Sequence, residues 1–320
     1  MRLITSFLTL TCGLALAQQG KLAGPISGYV FDPSVRALRA VIGVPGAATI
    51  GSPIDLGFST SGIWVSPLLD SAVAAGTDGS VHFLRLNAGA LSEVSFSGAA
   101  TAPQSVTFSP TGSAAALFSR DRAVIVTGLP NNPTVSGAIE LVADFARPSR
   151  LPALHRIATA VSDDGAYLLR ASGGSVILYG VAGSHSVVGD GTDVAFAPSG
   201  HKAALADLAG AGVVTFDDIA SANGRKVLAG PNASLQSSAG LSFSADGQKL
   251  FLVNLTSRNV VSFDLASSSQ ESITCRTAPQ TLVRMGTTFR LNDLGTDPLW
   301  LLDTAPAAPQ VVFVPALSAN

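Results

Sequence analysis

The stretch LSFSADGQKLFLVNLTSRNVVSFDL, Leu241 to Leu265, has a fixed order: an apolar strand, a Ser-Ala-Asp-Gly turn, an aliphatic run, a polar loop and a second apolar strand. Glycine at the fourth place of the turn permits the positive φ that tight hairpins often require. The same order recurs along the chain. Turns begin at Asp32 (FDPS), Ser66 (VSPL), Ser109 (FSPTG), Ser162 (VSDDG), Ala197 (FAPSG), Ser244 (FSADG) and Asn292 (LNDLG), spaced by 34 to 53 residues. Five of these seven turns have glycine in the same place, as Gly112, Gly165, Gly200, Gly247 and Gly295, so the feature belongs to the unit and not to one copy.

Downstream of the turns the pattern also repeats, in AALFSRDRAVIV from Ala115, YLLRASGGSVILY from Tyr167 and ALADLAGAGVVTF from Ala204. Four short strands per unit at a period of roughly 40 residues predict an all-β fold: a single β-propeller of seven blades, each of four short antiparallel strands. Composition agrees. With only three Glu and four Lys the chain is poor in surface-helix residues, while 32 Gly and 18 Pro suit short strands and tight turns. An outer-membrane barrel would need strands of about 10 residues and aromatic girdles, and only 6% of these residues are aromatic. Tandem sandwiches would accommodate the strand count but do not explain the recurring turn.

Leu241 to Leu265 resembles the YVTN/WD40-like propeller repeat: Phe243-Ser244-Ala245-Asp246-Gly247, Asn254 and Val261-Ser262-Phe263-Asp264 occupy its conserved-type places. The match is good in this unit, fair in those at Ser109, Ser162 and Ala197, and poor in the first two and the last. The whole chain resembles uncharacterised exported bacterial propeller proteins. That resemblance implies a fold and no chemistry. The last unit shows three strands, Thr287 to Arg290, Leu299 to Leu302 and Val311 to Val314. Its missing outer strand is expected from Lys21 to Ile26, closing the ring by pairing N- and C-terminal strands and covering a sheet edge.

Arg2, the apolar run Leu3 to Leu16 and Ala15-Leu16-Ala17 read as a signal peptide over residues 1–17, leaving 18–320 as the propeller domain. The run is short for a membrane span, which needs about 20 residues, so the mature chain is expected to have no transmembrane segment and to be exported to the periplasm or beyond the cell. Cleavage removes Cys12 and leaves Cys275, so no internal disulfide can form. With a formal net charge of −2 and no basic stripe, nucleic acid is not an expected partner.

Chemical motifs are sparse. His82, His155, His185 and His201 lack the spacing of a metal motif, and one thiol cannot make a cysteine zinc site, so neither a metal nor a cofactor is implied. His82, inside a strand, reads as structural. There is no G-x-S-x-G elbow, and GDGTD (Gly189 to Asp193) lacks the ligand alternation of a calcium loop and reads as an inter-blade turn. Two groups stand out. Arg147, Arg150, His155 and Arg156 gather cationic charge in one loop, which reads as a solvated surface loop or as a contact for an anion or protein partner. The residues ending successive second strands, Gly43, Gly76, Ser119, Arg170, Asp207, Asn254 and Asp303, are expected to ring one channel mouth and hold a small polar ligand, or simply to bond neighbouring loops.

The expected function is therefore an exported, non-catalytic binding or interaction scaffold whose partner is an unknown protein or small polar ligand at one propeller face. The alternatives are a small-molecule hydrolase of lactonase-like propeller type, since some YVTN-like propellers act on small molecules, or a purely structural cell-surface component.

Overall fold

The turns at Ser109, Ser162 and Ser244 fold the same way because their own backbone groups bond one another. In the turn at Ser244, Ser244 N donates to Lys249 O and Gly247 N donates to Ser244 O, at 2.9 and 3.0 Å. Ser109 and Ser162 make the same pair of bonds in their turns. The fourth residue is left-handed in five of the repeated turns: Gly112, Gly165, Gly200 and Gly247 have φ between 66° and 72°, and Leu69 takes φ 61° where the second unit lacks the glycine. A leucine there is strained, since Cβ meets the following carbonyl.

The computed structural model describes residues 24–317, except 88, 89, 97, 99, 100, 143–156, 208–211, 230–237 and 307. Described strands form seven antiparallel sheets in chain order, the blades of a seven-bladed β-propeller; six have four strands and the first has three. The first strand of each blade lies innermost: Ile26–Asp32, Thr60–Val65, Ser105–Phe108, Ala158–Val161, Asp193–Phe196, Ser238–Phe243 and Val283–Met285. Among the described residues no helix is long and apolar enough to cross a membrane.

The core is not one mass but seven clusters, one between each pair of neighbouring blades. In blade six the second strand, Lys249–Asn254, sends Leu250 and Leu252 toward blade five and Phe251 and Val253 toward blade seven. Both faces are buried, so the strand reads as a continuous apolar run with no alternation. Alanine-rich runs, as in Ala72-Val73-Ala74-Ala75 and Ala114 to Ala116, are fully buried in second strands, where converging blades leave little room.

Closure differs from the sequence expectation. Blade seven is complete with Val283–Met285, Thr288–Arg290, Leu299–Asp303 and Gln310–Val314. The strand overlooked in the sequence is the innermost one, not an outer one. No N-terminal strand pairs with blade seven among the described residues, and the ring closes face to face. Val30, Val41 and Ala48 of blade one pack on Met285, Leu299, Leu301 and Val314 of blade seven. Gly28 makes this approach possible: a Cβ there would lie 2.9 Å from Met285 Sδ. The loop at Asn292 joins the second and third strands of blade seven. The true counterpart of the repeated turn is Gly286-Thr287, with Gly286 at φ 63°.

Candidate functional site

The seven inner strands enclose a channel of about 640 Å3 along the ring axis, within the range of small-molecule sites. Ser105, Ile157 and Asp193 line it where inner strands begin (the start end), and Ser66, Ser109 and Pro110 where the repeated turns follow them (the turn end).

Two hydrogen bonds cross the turn end. Gly286 N donates to Pro67 O at 2.7 Å, joining blades seven and two, and Arg284 Nη2 donates to Pro110 O, joining blades seven and three. Neither pair of blades is adjacent, so both bonds span the opening and narrow it. Beside them Asp163 ties three consecutive blades together. Its Oδ1 accepts from Thr111 N and Oγ1 at 2.8 and 2.7 Å, and its Oδ2 from Ser199 N at 2.8 Å.

Arg284 is the central side chain of the site. It is 8% exposed, its Nε is buried with no hydrogen-bond partner, and no carboxylate forms an ion pair with it among the described residues. Burial holds its guanidinium below the usual arginine range, and the charge of Asp163 acts in the opposite sense. An arginine stays protonated near neutral pH, so an incompletely compensated positive charge stands at the turn end.

Elsewhere several polar side chains in or beside the lining are already paired. Ser238 Oγ donates to Asp193 Oδ2 at 2.8 Å and lies 2.7 Å from Thr192 Oγ1. Thr107 and Thr159 hydroxyls meet at 2.6 Å, and Arg290 pairs with Asp293 at 2.9 Å. Apolar surface lies open beside these pairs: Ile157 is 50% and Val283 38% exposed.

The predicted rim does not line this channel. Ser119, Asn254 and Asp207 end second strands as expected, and Arg170 lies near the end of one. Second strands stand one strand away from the axis, which is why Ser119, Arg170 and Asn254 miss the lumen. The Asp207 side chain is outside the described residues. Asp303 ends the third strand of blade seven, on the opposite face, because the last turn was aligned one strand too late. The polar members that are described serve loops: Asn254 Oδ1 accepts from Thr256 N and Ser257 N at 3.0 Å, and Asp303 Oδ1 from Ala305 N at 3.1 Å. Arg170 donates to Val142 O. Gly76 ends the second strand of blade two, and Gly43 directly follows that of blade one. The cationic loop with Arg147, Arg150, His155 and Arg156 lies outside the described residues, as does the leader at 1–17.

GDGTD is the link from blade four to blade five. His82 stacks on Phe58 at 3.8 Å and lies between Ser80 Oγ and Glu93 Oε1, each 2.7 Å from a ring nitrogen. Cys275 is buried, and burial pushes its thiol up to about 11. Among the described residues no three His, Cys, Asp or Glu side chains cluster as metal ligands would. The sequence reading missed Arg284. The available signal was LVRMG, Leu282 to Gly286: an apolar strand running into a glycine, as in the other units, with an arginine at an innermost position.

Several solved structures share the propeller. The Pseudomonas aeruginosa periplasmic gluconolactonase PpgL superposes with a TM-score of 0.56 at 17% identity, covering 91% of this chain and 97% of that one. A Bacteroides fragilis protein provisionally named a 6-phosphogluconolactonase gives 0.56 at 14%, covering 91% and 94%. The β-propeller domain of Myceliophteria thermophila Cps50 (Swd1) gives 0.52 at 9%, covering 80% and 87%. At these identities the likeness concerns the fold alone. No family model matches the sequence, and no curated protein matches it.

Proposed function

We propose that the protein is an exported binding propeller that holds a small polar ligand in its central channel. The observation behind this reading is the channel itself: about 640 Å3, lined by all seven inner strands, with a buried cation at one end. Rigid walls supplied by seven separate sheets suit binding, because little ordering accompanies occupation. Export rests on the leader-like sequence Met1 to Ala17. The test is a thermal-shift screen of small acids, alcohols and amines, with Trp64 emission as the local readout because Trp64 lines the channel. Ligands that raise the melting temperature should also shift that emission. Stabilising ligands that leave Trp64 unaffected would place binding elsewhere and overturn the reading.

Hydrolysis of a lactone or ester is a second reading, supported by the fold neighbour from Pseudomonas aeruginosa and by one local observation. Ser80 Oγ, His82 and Glu93 follow one another in the order of a nucleophile, base and orienting carboxylate. Ser80 Oγ also donates to Asp78 Oδ1 at 2.5 Å, and Ser80 N and Gly79 N are already engaged, so no backbone donor is ready for an oxyanion. Acid release from δ-gluconolactone decides between the readings. The binding reading expects the rate to equal that of buffer; hydrolysis expects turnover that Ser80→Ala removes.

A further inference from the structure

We propose that the channel takes an amphipathic organic monoanion, a carboxylate on an apolar body, head first onto Arg284. This rests on the channel-binding reading and specifies its ligand.

The head group follows from Arg284. A guanidinium removed from water and left without a counter-ion destabilises the fold, unless something in the site supplies the missing charge. Arg284 is nine-tenths buried, its Nη2 is held by Pro110 O and its Nε is an unfilled donor. Asp163 is the carboxylate whose charge reaches it, and both Asp163 oxygens already accept bonds from Thr111 and Ser199. The guanidinium fork matches a carboxylate in plane and spacing, which makes that anion the natural complement.

The body follows from the rest of the lining. A polyol would give up its water hydrogen bonds and find Asp193, Thr107, Thr159 and Arg290 already paired within the protein. Ile157 and Val283 instead present half-open apolar surface, Ile157 at the start end and Val283 next to Arg284 in its strand. Two bonds cross the turn end, so a ligand that enters from the start end meets Arg284 last.

The experiment uses octanoate, 1-octanol and gluconate as probes, read by Trp64 emission in a Trp300→Phe background. Octanoate should saturate the signal at least about tenfold more tightly than octanol, the worth of one charge-assisted hydrogen bond. Arg284→Gln should lower octanoate affinity by a similar factor and leave octanol unchanged, while Arg284→Lys, which keeps the charge but loses the planar fork, should fall between the parent and Arg284→Gln. A melting curve for each variant separates lost binding from lost fold, and Arg284→Met, which replaces the buried charge by a hydrophobe of similar length, carries the test if Arg284→Gln does not fold: it should lower octanoate affinity at least as much. Equal octanoate affinity in the parent and Arg284→Gln overturns the proposal. Gluconate binding more tightly than octanoate overturns it as well, yet leaves the channel reading intact. No response to any of the three probes overturns the octanoate assignment, while a Trp64 response to other members of the wider screen would keep the channel reading.

Discussion

Blade six and blade seven stand side by side and use their residues differently. In blade six the repeat residues serve the blade. Ser244 Oγ donates to Asp246 Oδ1 at 2.5 Å and accepts from Lys249 N at 2.9 Å, and Asn254 Oδ1 caps its loop. Blade seven departs from the pattern. Its inner strand is three residues long, its turn is Gly286-Thr287, and the Nε of Arg284 finds nothing to bond. Residues that obey the repeat build the frame, and the unit that breaks it contributes the buried cation of the channel lining. Local rules fail most informatively where a fold is put to use.

That contrast makes opposite stability predictions for the two blades. The largest effect is expected from Phe251→Ala. Phe251 is fully buried on the blade-seven face of blade six, its ring centre 5.2 Å from that of Phe289. Truncation should cost about 3–5 kcal/mol in urea denaturation; a loss below about 1 kcal/mol would mean that the blade faces are not what holds the ring. Next comes Asp163→Ala, which strands three donors from blades three and five and should cost about 3 kcal/mol. Arg284→Met should go the other way. Replacing a buried, incompletely compensated charge by a hydrophobe of similar length is expected to stabilise the empty protein by about 1–2 kcal/mol. Clear destabilisation by this change would show that Arg284 is a structural tie to Pro110 and would erase the distinction between the two blades.

How much was legible in the sequence follows the same division. The Ser-x-x-Gly turn and the strand order are local chemistry repeated many times, so they could be read from Leu241 to Leu265 and extended to the ring. The ends of the chain were harder. Leu69 holds the left-handed place that glycine holds elsewhere, so blade two lost its marker. The short strand at Val283 fell beneath the pattern, which displaced the last turn and carried Asp303 to the wrong face. The channel was hidden for another reason. Arg284, Pro110 and Asp163 are far apart in sequence and meet only because seven inner strands converge on one axis. A rim assigned from second-strand ends could not find them, since those residues stand one strand outward.

The smallest expected effect tests how much one turn side chain in blade six matters. Asp246 is exposed, and hydrogen bonds from the Ser244 hydroxyl and the Gln248 amide hold its carboxyl below the usual aspartate range. A carboxyl with a depressed folded pKa adds stability above the unfolded pKa, and loses it as pH falls through the folded value. Asp246→Asn keeps the shape and removes the titration. At pH 7 the variant should therefore be less stable than the parent, by under about 1 kcal/mol because solvent screens an exposed charge. The gap should hold down to about pH 4 and close below it, as the parent carboxyl takes up its proton. Urea midpoints of both proteins from pH 7 to pH 2.5 provide the measurement. A gap that stays constant through the acid range would assign the turn's stability to the geometry shared by Asp and Asn. A gap of several kcal/mol at pH 7 would mean that a single exposed turn carries as much as a core face, and the division between frame and face packing would have to be redrawn.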